Sequence, residues 1–205
     1  SNILPWRESG AKVIEIPEAP SGGPDLLALE KSLQAENEAV IVVGAFSAMS
    51  NVTGIATDTD AVTSCLKRYG ALAIWDFAGG APYIEMEMGH GRYAKDAIVF
   101  SPHKFPGGPG ASGVLVLRND IAQRNQPTQS GGGTVRFVSP WGHHYLENLV
   151  QREEAGTPNI IGDIRAALVM MIKSALGQRW FDRRHTELRA QAVEAWKNAR
   201  GLQLL

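Results

Sequence analysis

The sequence predicts an α/β domain with a mostly parallel sheet, on three observations. Apolar runs of strand length end at Phe46, Trp75 and Phe100. Stretches with apolar residues at helical spacing, 25–37 and 58–69, are interleaved with them, and such alternation is the signature of strand–helix–strand units. Each run gives way at once to polar or glycine-rich chain, the end of a parallel strand at which open sheets bind ligands.

The 205 residues can bury a sizeable core, and one domain is the natural expectation for that length. The apolar share of 44% is that of an ordinary globular protein. Twenty basic and 21 acidic residues are interspersed and leave a formal charge of -1. No basic stripe therefore points to nucleic acid or an anionic membrane. No apolar run approaches the roughly 20 residues that span a bilayer, and no charged-then-apolar leader opens the chain. The expectation is a soluble, cytoplasmic protein without membrane partners. A single cysteine, Cys65, rules out an internal disulfide and suits a reducing compartment. Ser1 and Asn2 read as a cloning remnant, and no repeat or low-complexity tract is visible.

Taken in order, residues 11–16 read as a short strand closed by Pro17. Asp25 can cap a helix that places Leu26, Leu29 and Leu33 on one face through about residue 37. The run 39–46 is apolar throughout, which predicts a strand covered on both faces. The turn 47–54 follows its end and carries Ser50 and Asn51. A helix over 58–69, capped by Asp58 or Thr59, turns Val62, Cys65, Leu66 and Tyr69 to one side, so Cys65 reads as core packing. The strand 71–75 ends in Asp76, a charge after a buried run that requires a partner or a purpose.

The stretch from Asp96 to Arg118 organises the rest. A strand over 96–100 delivers Ser101, His103 and Lys104 to a turn rich in proline and glycine, and a strand over 112–117 returns antiparallel through a very short connection. Residues 129–136 carry three consecutive glycines before Thr134, able to offer backbone N–H groups to an anion. His143 and His144 lie in an aromatic loop with Trp141 and Tyr145, and no carboxylate spacing there supports a metal site. Residues 154–158 lead into a helix with Thr157 as cap and Pro158 at its first position. Its face of Ile161, Ile164, Leu168, Met171 and Ile172 reads as core or subunit interface. A last helix over 179–199 carries Trp180, Leu188 and Trp196 and stops at Gly201.

Taken singly these residues have ordinary readings: Asn51 a turn former, Asp76 a cap, Lys104 a solvated charge and the glycine triplet a loop. Together, Ser101-Pro-His103-Lys104, then Gly107-Gly108-Pro109-Gly110 and the strand from Gly113, resemble the cofactor-lysine segment of class V aminotransferases. That pyridoxal phosphate group includes cysteine desulfurases and selenocysteine lyases. Ser50-Asn51-Val-Thr-Gly54 resembles the family's Ser-Asn-x-x-Gly turn, Asp76 its strand-end aspartate, and Glu154-Ala-Gly-Thr-Pro158 its Glu-x-Gly-Thr-Pro segment. The pieces fall in the family's order over roughly residues 12 to 178, which makes the set far more specific than any member.

The resemblance implies a three-layer α/β/α domain of the fold type I large-domain kind, over 3–178, with 179–205 leading towards a small C-terminal domain. It implies that Lys104 holds the aldehyde of pyridoxal 5'-phosphate as a Schiff base and that Asp76 pairs with the ring nitrogen. It gives Asn51 the phenolic oxygen, and Ser101 and His103 the phosphate. Thr134 would reach across a homodimer to the partner's phosphate. The substrate would be an amino acid and the reaction of transferase or lyase type, with a scaffold that merely keeps the fold as the alternative. Two positions depart from the desulfurase pattern: Gly79 stands where a glutamine is common, and Tyr83 near a common histidine. No cysteine follows Lys104, so the persulfide chemistry of desulfurases falls to no residue in this sequence. Family chains are also about twice as long, as two domains of ordinary size require, and the sequence reads as a piece of such an enzyme.

Overall fold

The computed structural model describes residues 3–36, 38–122, 124–197 and 199–201. The expectations on Ser1, Asn2 and the helix end at residue 37 lie outside them. Four strands form the main sheet in the order β1 (Val43–Ser47), β2 (Leu72–Asp76), β3 (Ala97–Phe100) and β4 (Val114–Leu117). The first three are parallel, and β4 pairs antiparallel with β3. This is the mostly parallel α/β arrangement that the alternation of runs requires.

Local chemistry sets the helices. Asp25 caps α2 (Leu26–Ala35) by accepting from the N–H groups of Leu27 and Ala28, and Asp58 caps α3 (Thr59–Arg68) through Ala61 N–H. Leu29 and Leu33 of α2 are buried, whereas Leu26 stays 40% exposed. From α3, Val62, Cys65 and Leu66 enter the core, so Cys65 is packing, as expected. Gly44 is where α3 closes on β1, because a Cβ there would lie 2.4 Å from Leu66 Cδ2. Trp75, fully buried on β2, donates its indole N–H to Thr63 at 2.9 Å, which satisfies its polar end inside the core. At the opposite edge of the sheet from the turns, the buried Asp96 accepts from Ala73 N–H at 2.6 Å and pairs with Lys67, so its charge is compensated.

Several elements differ from the sequence expectations. Residues 11–16 form no strand, since no strand among the described residues pairs with them, and Val13 and Ile14 are left exposed; a short helix, α1 (Ile3–Glu8), precedes them. The run 39–46 is not covered on both faces: Val40 is 98% exposed, and β1 starts only at Val43 as the sheet's edge. The connection from β3 to β4 is not a short turn but a folded loop, residues 101–113. Trp141, His143, His144 and Tyr145 belong to a hairpin rather than a loop, with β5 (Val135–Ser139) and β6 (Gly142–Tyr145) paired antiparallel. A short helix, α4 (Leu149–Glu153), also escaped the pattern, capped by Asn148 through Gln151 N–H.

Helix α5 (Ile160–Leu176) starts later than expected, with Asn159 rather than Thr157 as its cap. Its apolar face is not core within this chain, since Ile161, Ile164, Leu168, Met171 and Ile172 are each at least half exposed. The residues it buries are Gly162, Ala166 and Val169. Gly177, at φ +77°, turns the chain directly into α6 (Gln178–Trp196), whose buried residue is Phe181 and which ends before Gly201.

Candidate functional site

Three parallel strands end side by side. Ser47 of β1 is in register with Asp76 of β2, and Asp76 with Val99 of β3. The chain beyond these ends carries Asn51, Asp76 itself, and Ser101, His103 and Lys104. Ladder bonds run to the last residues, with Ala48 N–H on Asp76 O and Phe77 N–H on Val99 O, both 2.8 Å. The three turns thus spring from one rigid edge.

The first turn is closed by Ser50. Its N–H donates to Ile55 O at 2.9 Å, and its hydroxyl accepts from Val52 and Thr53 N–H at 3.2 Å each. Ser50 is therefore occupied in shaping the turn, and Asn51 is exposed at its tip. In the second turn one carboxylate oxygen of the half-buried Asp76 accepts from Ala78 N–H at 2.7 Å. The two turns touch at Gly79, where a Cβ would lie 3.6 Å from Asn51 Cβ and 3.4 Å from Met49 O. Tyr83 turns away to α6 and meets the His185 ring edge-on at 4.8 Å.

The third turn is the most tightly built. Lys104 N–H donates to Ser101 O and Phe105 N–H to Pro102 O, both at 3.0 Å, making one 3-10 turn over Pro102–Lys104. Phe105 is 3% exposed and packs 6.5 Å from the Phe100 ring, so the exposed Lys104 stands next to a buried anchor. Gly108 folds the loop back on itself: a Cβ there would sit 2.0 Å from Pro102 O. Helix α5 backs the loop, with Gly162 O accepting from Ser112 N–H at 3.2 Å and Arg165 donating to Pro109 O. The side chains of Asn51, His103 and Lys104 make no hydrogen bond or ion pair among the described residues.

Thr134 is tied elsewhere. Fully buried, it donates its hydroxyl to Gly131 O at 2.7 Å, and the glycine turn docks on residues 154–156 through Gly156 N–H to Gly132 O, 2.7 Å. The Glu154–Pro158 segment and the glycine triplet, separate in sequence, are thus one unit. Two open surface cavities of about 530 and 360 Å³ lie along α3 and between β4 and α5; Asn51, Asp76 and Lys104 line neither. The candidate site is an open edge recognised by its chemistry. No cluster of metal-ligating residues exists among the described residues.

The sheet thus brings Asn51, Asp76 and Lys104 to the C-terminal ends of adjacent parallel strands, where open α/β sheets bind ligands. The family model for aminotransferase class-V matches residues 1–205, and the chain belongs to that family. It is 30% identical over 201 residues to a protein of Aeropyrum pernix named "Probable cysteine desulfurase", covering 95% of this chain and 47% of that one. Among solved structures, the apo cysteine desulfurase of Thermococcus onnurineus superposes with a TM-score of 0.81 at 28% identity, over 95% of this chain and 48% of that one. The Escherichia coli cysteine desulfurase CsdA gives 0.80 at 25% identity, over 98% and 49%. The chain spans about half the length of the relatives it matches. No helix among the described residues is long and apolar enough to cross a membrane.

Proposed function

We propose that this chain carries the cofactor-holding part of a pyridoxal phosphate enzyme that acts on an amino acid. The observation that carries the reading is the common edge: Asn51, Asp76 and Lys104 lie at or just past adjacent strand ends held in register, with Lys104 unpartnered among the described residues beside a buried anchor. The donor set fits the group. A free amine matches its aldehyde, a carboxylate with one oxygen committed to Ala78 leaves the other for a ring N–H, and an exposed amide and imidazole can donate to its oxygens.

When bound, pyridoxal phosphate supplies an electron sink for the bonds of the substrate's α carbon. Lys104 is the residue that would hold the aldehyde through Nζ, and its amine, once free, would be the group placed to take up or return the proton at the substrate's α carbon. Asp76 keeps the ring nitrogen protonated by ion pairing. Asn51 donates to the phenolic oxygen, and Ser101 and His103 donate to the phosphate. The glycine turn that Thr134 closes would serve the partner subunit's phosphate in a homodimer, through the exposed backbone of residues 131–133 rather than through the Thr134 hydroxyl, which is buried and donates to Gly131 O. A cytoplasmic setting accords with the single, buried and unpaired cysteine.

Cys65 packs in α3 before Asp76, so the sulfur-accepting step of a desulfurase belongs to none of these residues. The reaction class is decided by product. The full-length protein loaded with pyridoxal phosphate and given cysteine with a dithiol reductant, then other amino acids, is expected to release alanine with sulfide, the dithiol supplying the two electrons, or a keto acid. Absence of any amino-acid-derived product across the set contradicts the enzymatic reading.

A further inference from the structure

Lys173 is half-buried on the inward side of α5, eleven residues beyond Gly162 and four beyond Val169, on the face that backs the Lys104 loop. Its ammonium donates to two backbone carbonyls, Ala81 O and Ile84 O, each at 2.5 Å. It also lies 5.8 Å from the centroid of the Phe105 ring. Among the described residues no carboxylate bonds it directly; Glu85 and Asp182 are the charged groups that raise its pKa, and burial outweighs them and lowers it from the ordinary lysine value.

The two carbonyls are the end of the turn that begins at Asp76. From Asp76 the backbone coils through Gly80 and Ala81 N–H, both on Phe77 O, and through Tyr83 and Ile84 N–H, both on Gly80 O, at 2.7–3.0 Å. Such a coil leaves its last carbonyls without N–H partners, and a cation is the strongest donor for them. The ring that the same ammonium faces is the residue after Lys104. One side chain therefore joins the turn that carries the ring-nitrogen carboxylate to the loop that carries the reactive amine. Sequence reading passed over it, because its helix had been assigned by the outward apolar face.

We propose that Lys173 is a positioning residue that fixes the Asp76 turn and the Lys104 loop in one register and so sets how both meet the cofactor. The inference rests on the pyridoxal phosphate reading above. Lys173→Met keeps an unbranched side chain but removes the donor from both carbonyls and the cation from the Phe105 ring, so the turn can drift from the loop. With Asp76 displaced, the ring nitrogen releases its proton more readily and the ring withdraws fewer electrons. The nitrogen of the Lys104–cofactor bond then becomes more basic.

The test uses the full-length protein and two readouts other than turnover: the dissociation constant for pyridoxal phosphate and the pH midpoint of the visible absorption of its Lys104 adduct. For Lys173→Met the constant is expected to rise about tenfold, the size of an unmet buried hydrogen-bonding group. The midpoint is expected to move upward by about half a pH unit or more. Lys173→Arg, which keeps a cation on a comparable stem, is expected to hold both near the parent. If Lys173→Met does not fold, Lys173→Gln, able to donate to one carbonyl, is expected to show both shifts at smaller size. A variant with lowered thermal stability but parental affinity and midpoint would overturn the proposal. So would Lys173→Arg shifting as far as Lys173→Met, since volume rather than the cation would then set the register. A parent protein with no Lys104 adduct marks failure of the cofactor reading instead.

Discussion

Asp76 illustrates how one side chain can serve structure and chemistry at once. One of its oxygens closes the turn through Ala78 N–H at 2.7 Å, while the carboxylate charge remains for a partner outside the turn. Asp76→Asn separates the two roles, because the amide oxygen still accepts from Ala78 but the charge is gone. Circular dichroism is expected to be unchanged. Pyridoxal phosphate affinity is expected to fall by about tenfold or more, the cost of losing one charge-assisted bond. Unaltered affinity and an unaltered absorption titration in that variant would remove Asp76 from the site. In the sequence Asp76 stands out as a charge directly after a buried run, but by itself it reads as a cap, and the ring-nitrogen role comes from the ordered set of motifs that resembles the family. Thr134 was legible only as part of a glycine-rich segment. Its burial and its bond to Gly131 depend on residues 154–156 folding against it, a contact that no local pattern encodes.

The loop 101–113 shows the same limits for elements. Its prolines and glycines announced a turn, and the pairing of β4 with β3 followed correctly, but the length and shape of the connection did not. That shape comes from contacts distant in sequence: Gly162 O on Ser112 N–H, Arg165 on Pro109 O and Val169 beside Gly107. The face of α5 that makes them includes Gly162, Arg165 and Lys173, which no apolar periodicity can reveal, whereas the periodic face proved exposed. Gly108 is the loop's tightest point. Gly108→Ala would place a methyl group 2.0 Å from Pro102 O and 2.9 Å from Phe105 O, both backbone atoms. The strain is expected to cost about 1–3 kcal/mol of stability, read by thermal or urea unfolding. Adduct formation at Lys104 should fall with it, and a variant as stable as the parent would contradict the loop geometry. The hairpin β5–β6 was missed for a different reason: its turn, Pro140-Trp141, lacks the Asn-Gly or Asp-Gly chemistry that marks tight hairpins.

At the scale of the whole molecule, the sheet acts as a ruler. Pairing Ser47 with Asp76 and Asp76 with Val99 brings residues 51, 76 and 104 to one edge although they are far apart in sequence. The order of the motifs along the chain carried that information, since successive parallel strands lay their ends side by side. What order could not carry was coverage, as the exposed Val40 and the outward face of α5 show. The claim on which the rest depends is that the edge holds pyridoxal phosphate through Lys104. Its most direct test is borohydride reduction of the full-length protein after mixing with pyridoxal phosphate, followed by peptide mass mapping. One pyridoxyl group on Lys104, absent from Lys104→Ala, is the expected result. Adducts scattered over other lysines, and unchanged in Lys104→Ala, would contradict the account.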